Sequence, residues 1–179
     1  MISIIVPVYN EENVLREQRD YFLGLSEQAE VIFVDGGSTD QTRTILKDFP
    51  RVITCAKGRA IQMNTGAANA TGQIYLFLHA DTRVDYPTLR RIEEEIKDGE
   101  LVGGCLRQVI DAPGLLYRWI AWTGNMRAGL RGVFYGDQGI FVDREAFHRL
   151  GGFPVHGIGE DIMFTKRLRR SGRVRMLDA

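Results

Sequence analysis

The sequence is short of most features that settle a protein's class at a glance. It has no net charge, 23 Lys and Arg against 23 Asp and Glu, so no overall basic field draws it to nucleic acid. Cysteine is confined to Cys55 and Cys105, far apart in apolar surroundings and without a CxxC pair. That points to two free buried thiols in a reducing compartment, and against a disulfide framework. No stretch has the length of a transmembrane helix, and the apolar start Met1–Val8 is too short and lacks the basic flank of a signal peptide. The expectation is a cytosolic protein. Lysine occurs only at Lys47, Lys57, Lys97 and Lys166. The arginine bias reads as composition first and phosphate recognition second. The common phosphate-binding loops are missing too. There is no GxxxxGK[ST], and the first strand runs into Pro7-Val8-Tyr9-Asn10-Glu11-Glu12. A dinucleotide fold needs GxGxxG there, and a sugar nucleotidyltransferase a glycine-rich loop with a basic residue. Repeats, low-complexity tracts and linkers are absent as well.

What is present is a single domain's worth of chain. The 179 residues, 44% hydrophobic and 26% charged, suffice for a substantial core. The organising stretch is Gln73–Val84. Ile74, Tyr75, Leu76, Phe77 and Leu78 form an unbroken apolar run, the pattern of a strand buried on both faces of a parallel sheet. Such a strand delivers His79, Ala80 and Asp81 to its carboxyl end, where open α/β sheets place ligands. A carboxylate there suits Mg²⁺ or Mn²⁺, which bind through one or two carboxylates plus substrate phosphates. The plainer alternative is that Asp81 caps the next helix or turn.

Around it, strands and helices alternate. Ile2–Val6 and Val31–Val34 read as strands, with Pro7 ending the first as a central strand. Glu11–Leu25 has helical spacing, and Ser38 or Asp40 is placed to cap a helix running to Phe49. Arg51–Cys55 reads as a third strand, and Lys57–Ala70 as a small-residue helix packed close on the sheet. A helix over Pro87–Lys97 has proline at its first position. In the second half we expect a strand within Leu101–Ile110, a helix over Leu115–Leu130, and a strand at Gly139–Val142. A short helix over Arg144–Leu150, a Gly151–Pro154 turn, a helix over Glu160–Ser171 capped by Gly172, and a strand at Val174–Leu177 complete the chain. This succession predicts an α/β fold with a mostly parallel, twisted, Rossmann-like sheet, helices on both faces and a small antiparallel addition in the C-terminal half.

The blocks IVPVYNEE, VDGGSTD, GRAIQMNTGAANATG, LFLHADT, GGFP and GEDIMFTKRLRRSG stand in one order over essentially the whole chain. That series resembles the family 2 glycosyltransferases of GT-A fold. The resemblance implies one domain, with residues 1–98 as the nucleotide-binding half and 99–179 as the acceptor and catalytic half. It also implies transfer of a sugar from a nucleoside diphosphate sugar, with Mg²⁺ or Mn²⁺ and inversion at the anomeric carbon. Residue by residue, Pro7, Tyr9 and Glu11 match the loop lining the nucleoside pocket, and Asp35 the carboxylate that bonds the base. Gly36 replaces a second acid usual there. Lys57 and Arg59 match basic positions near the nucleotide, with solvated surface charge as the plain alternative. His79-Ala80-Asp81 resembles the D-x-D metal motif with histidine in its first slot. Asp81 would be the direct ligand, while His79 would assist the metal, contact the sugar or only hydrogen-bond at the strand end. Glu160-Asp161 resembles the acid pair that activates the acceptor, with Asp161 as base; a helix cap is the alternative. Asp137 and Gln138, in a glycine-flanked loop, are candidates for contact with sugar or acceptor, or an ordinary turn.

The acceptor is open. Trp119, Trp122 and Met126 with Arg118, Arg127 and Arg131 make either a core stripe with a basic rim or a membrane-surface helix. The second would fit a lipid-linked acceptor and peripheral contact at the inner face of a membrane. Many relatives also carry an arginine- and tryptophan-containing loop beyond the last helix, closing over the diphosphate. The chain reaches Ala179 before such a motif, so we expect either a longer natural chain or a site that closes differently. Two rival readings remain: a non-catalytic nucleotide-sugar binding module, and, ranked last, a sugar nucleotidyltransferase.

Overall fold

The computed structural model describes residues 1–99, 101–109, 134, 136–155 and 159–178. Its frame is a seven-stranded sheet of order β3-β2-β1-β4-β6-β5-β7. β1 (Ile2–Val8), β2 (Glu30–Asp35), β3 (Val52–Thr54) and β4 (Ile74–Phe77) are parallel. β6 (Ile140–Asp143) runs antiparallel to both β4 and β5 (Gly103–Leu106), and β7 (Val174–Leu177) is parallel to β5. The expected mostly parallel sheet with an antiparallel addition is thus what forms.

The near-continuous apolar strands follow from cover on both faces. Ile4, Val6, Phe33, Leu76 and Phe141 point to one side, against α1 (Glu12–Ser26) and α4 (Tyr86–Lys97). Ile5, Val34, Phe77 and Val142 point to the other, against α3 (Arg59–Asn69), α5 (Arg144–Arg149) and α6 (Glu160–Ser171). α3 sits close because Gly66 faces the sheet: a Cβ there would run into Ile5 Cγ2 and lie 3.1 Å from Val34 Cγ2. α6 is tied down through Thr165, whose hydroxyl receives the Phe134 amide at 3.3 Å. Asn64 of α3 pins the Gly151–Pro154 turn, donating to Phe153 O at 2.8 Å and accepting from Phe153 N at 2.9 Å.

Several sequence expectations need adjustment. Pro7 does not end β1; it lies within the strand, opposite Val34. The β4 ladder stops at Ile5 opposite Phe77, and Ile5 O accepts from Leu78 N. Pro7 turns to that same side two residues later, where no ladder bond is needed. The helix expected to reach Phe49 is only α2 (Thr42–Ile45), followed by a 3₁₀ turn over Leu46–Asp48. α4 begins at Tyr86 with Asp85 as cap, so Pro87 is its second residue. Gly172 ends α6 in an extended conformation; glycine is needed because a Cβ would sit 2.5 Å from Val102 Cγ1. The Leu115–Leu130 stretch lies outside the described residues.

Candidate active site

Two loops at the carboxyl ends of β1 and β2 are laced together by side chains that cap each other's backbone. Asn10, at φ 56°, donates its amide to Ser38 Oγ at 2.9 Å and accepts Thr39 N on Oδ1 at 2.8 Å. The first amides of α1 find partners across the gap, Glu11 N on Thr42 Oγ1 at 2.8 Å and Glu12 N on Asp40 Oδ2 at 3.3 Å. In return Glu12 Oε2 accepts from Gln41 N at 2.9 Å, and Asp40 Oδ1 from Thr42 N at 3.0 Å. Each helix start borrows caps from the other loop. Tyr9, Glu11 and Asp35 are therefore held on a braced platform.

Asp35 ends β2 almost completely buried. Its Oδ1 accepts from the Ser38 amide and hydroxyl. Among the described residues its Oδ2 has no hydrogen-bond donor, and it lies 3.8 Å from Arg43 Nε. A buried acceptor left this way costs about 1–3 kcal/mol and is suited to a ligand N–H. Gln62 of α3, which the sequence analysis did not single out, is buried between the strand ends and donates to Val8 O at 2.8 Å and Val34 O at 2.9 Å. A Cβ at Gly36 would meet the Gln62 carboxamide at 3.0 Å, so a side chain there would have to shift Gln62. Polar character inside the buried Ala60–Met63–Ala67 stripe was the available signal.

A cleft of about 190 Å³ gathers Pro7, Val8, Tyr9, Glu11, Arg59, Gln62, His79, Ala80 and Asp81. A larger cavity of about 600 Å³ lies under α2 beside β3 and shares only Asp35 with the sequence candidates. The smaller cleft is the chemical one, because the strand-end carboxylates and a guanidinium converge there. Lys57 stands over the Tyr9 ring at 3.9 Å. Asp81 is exposed and, among the described residues, accepts a 3.1 Å bond from Thr82 Oγ1; Asp85, not Asp81, caps α4. The Glu11 carboxyl is pushed above its ordinary value by burial first, then by the negative charges of Asp81 and Asp40. The Glu11 and Asp81 carboxylates stand at one cleft and supply oxygen donors of the kind Mg²⁺ or Mn²⁺ prefers, so these residues fit such an ion. Among the described residues no group of three or more His, Cys, Asp or Glu could cage a metal, so donor phosphates would have to complete the shell.

Arg59, the first residue of α3, joins this cleft to the start of α6. Its Nη2 bonds His79 Nε2, stands 3.4 Å from Asp161 Oδ2, and its Nε is 3.9 Å from Glu160 Oε1. Guanidinium only donates, so His79 Nε2 acts as an acceptor here. Of the roles considered for His79, this is hydrogen bonding at the strand end. Asp161 is buried, and its Oδ2 also accepts from Gly136 N at 3.0 Å. Gly136 opens a 3₁₀ turn over Gly136–Gln138, and a Cβ on it would collide with Arg59 Nη2 and lie 2.8 Å from Asp161 Oδ2. That close approach, between residues distant in sequence, had no signature in the chain. Gln138 is buried; the Asp137 side chain lies outside the described residues.

Comparison with known proteins identifies the family and the fold. The family profile described as "Glycosyl transferase family 2" matches residues 3–150. The chain is 25% identical over 199 residues to the "Probable glycosyltransferase YdaM" of Bacillus subtilis, covering 96% of this chain and 47% of that one. It is 33% identical to the human "Dolichyl-phosphate beta-glucosyltransferase" over 54% of this chain and 36% of the other. A mannosyltransferase from Pyrobaculum calidifontis, solved with GDP-Man and Mn²⁺, superposes with a TM-score of 0.71 at 25% identity, covering 99% of this chain and 54% of that one. The chain thus spans about half, or less, of the length of these relatives.

Proposed function

This chain belongs to glycosyl transferase family 2, and from that premise we propose that it transfers a sugar from a nucleoside diphosphate sugar to a hydroxyl or phosphate acceptor, with a divalent metal and inversion. The observation that carries the reading is the meeting of two sets of acids: Glu11 and Asp81 line one cleft, and Arg59, which lines it too, pairs with Glu160 and Asp161 beyond. Residues 1–98 would hold the donor. Asp35 Oδ2, buried and without a hydrogen-bond donor, would receive the base, and Tyr9 and Lys57 would flank the nucleoside. Residues 99–179 would present the acceptor.

Asp161 takes the acceptor proton as the hydroxyl oxygen attacks the anomeric carbon from the side opposite the diphosphate. The bond to the diphosphate oxygen breaks as the new glycosidic bond forms, which inverts the centre. Such general-base help contributes about 10²–10⁴-fold. The Gly136 amide fixes the carboxylate for this task. A Mg²⁺ or Mn²⁺ ion bound by Asp81, with Glu11 adjacent, would stabilise the charge on the leaving diphosphate. The relative named for dolichyl phosphate makes a lipid-linked acceptor a candidate; the base role of Asp161 belongs to a hydroxyl acceptor, since a phosphate oxygen is already ionised at neutral pH.

Calorimetric titration with UDP and with GDP, each with and without Mn²⁺, tests this reading. One nucleotide should bind, and more tightly with the metal. A chain that binds neither under any metal condition is not a nucleotide-sugar enzyme.

A further inference from the structure

Arg59 holds an unusual place: it lines the cleft assigned to the donor while its charge is committed to the two acids on the acceptor side. Building on the function proposed above, we propose that Arg59 is a shared cation, paired with Asp161 and Glu160 when the cleft is empty and handed to the donor diphosphate when it fills. Donor binding would then release the base for its proton.

Three features support exchange over a fixed structural pair. First, the pairing is loose. Charge-assisted N–H···O bonds close to about 2.7–2.9 Å, whereas Arg59 stands 3.4 Å from Asp161 and 3.9 Å from Glu160. Arg59 Nε, though buried, makes no hydrogen bond among the described residues. Its Nη2 is tethered to His79 Nε2 on the donor side, while the two acids hold it by attraction, without the forked geometry that would lock it to them. Second, Asp161 does not depend on Arg59 for its orientation, since Gly136 N holds Oδ2 at 3.0 Å. The carboxylate stays in place when the cation leaves. Third, a diphosphate in the cleft is the stronger partner, because guanidinium matches phosphate oxygens bidentately. The Arg59 side chain is 33% exposed and so is reachable by it.

Exchange makes a prediction that needs no acceptor. Asp161 competes with the diphosphate for Arg59, so removing its charge should strengthen nucleotide binding. UDP, or GDP if that is the nucleotide bound, is titrated by calorimetry with Mn²⁺ into wild type, Asp161→Asn, Arg59→Gln and the double variant. Thermal unfolding confirms that each is folded. A partly exposed ion pair is worth about 0.2–1 kcal/mol, so Asp161→Asn should bind about 1.5–5-fold more tightly than wild type. Arg59→Gln should weaken binding about 10-fold or more, as loss of a charged hydrogen bond implies. In the Arg59→Gln background, Asp161→Asn should then have no effect. Glu160→Gln should act in the same direction as Asp161→Asn but less, and it serves as the second probe should Asp161→Asn unfold.

The double variant separates exchange from simple repulsion between Asp161 and the diphosphate, which would persist without Arg59. Equal strengthening in both backgrounds, or weaker binding by Asp161→Asn, overturns the exchange and leaves the proposed function intact. Wild type that binds neither nucleotide removes both.

Discussion

At the scale of single residues, the site contains acids that are uncomfortable together, and Asp81 is the one to remove. Asp81→Asn should abolish the gain in UDP affinity that Mn²⁺ gives, by calorimetry, while leaving the fold intact, since the side chain is exposed at a strand end. It should also raise the melting temperature slightly at pH 7. The sign follows from Glu11, whose carboxyl is held above its ordinary 4.5 by burial and then by Asp81. A raised carboxyl destabilises the fold once ionised, a penalty that grows as pH rises through the raised value and is absent below 4.5. Lifting the Asp81 share should therefore stabilise at pH 7 and do nothing near pH 4. Equal shifts at both pH values would detach Glu11 from Asp81. The places of Asp81, just beyond β4, and of Asp161, in the first turn of α6, were legible in the sequence because each neighbouring element has its own local pattern. Gln62 and Gly136 were not: their roles are contacts across the fold, a carboxamide spanning two strand ends and an absent Cβ making room for Arg59.

At the scale of elements, the strands were legible because burial on both faces leaves continuous apolar runs, as in Ile74–Phe77. What misled was punctuation. Pro7 reads as a stop, yet the β4 ladder has already ended where its missing N–H would point. α2 reads as a full helix, yet its second half tightens to a 3₁₀ turn before Pro50. The start of α1 could not be read locally, because its amides are capped from the other loop, whereas Asp40 was readable as a cap of α2 and does accept from Thr42 N. Asp40 is the centre of the lacing between the loops, serving Glu12 N and Thr42 N with separate oxygens. Asp40→Ala should cost about 1–2 kcal/mol, a loss of capping at two helices, and lower the melting temperature by about 2–8 °C. Because the same lacing holds Glu11 and Asp35, UDP affinity should fall with it, although Asp40 does not line the cleft. Unchanged stability and affinity in Asp40→Ala would mean the loops are braced by Asn10 and Thr42 alone.

At the scale of the whole molecule, the donor-side and acceptor-side sequences do not have separate cores. One apolar layer joins Ile4, Phe22 and Phe33 to Phe141 and Leu177, and the other joins Ile5 and Val34 to Val142 and Phe164. β4 is the seam, parallel to β1 on one edge and antiparallel to β6 on the other. A chain built this way should unfold as one unit, and nucleotide should stabilise all of it. At a UDP concentration 100 times its Kd, with Mn²⁺, linkage adds about 2.7 kcal/mol. For a domain of this size that is a rise of about 5–11 °C in melting temperature. Far-UV circular dichroism and calorimetry should report the same single transition, moved as a whole. A second transition that UDP leaves in place would show that part of the sheet folds apart from the donor cleft. The contact of Arg59 with Asp161 would then join two separately folding units, and nucleotide binding would have to hold them together.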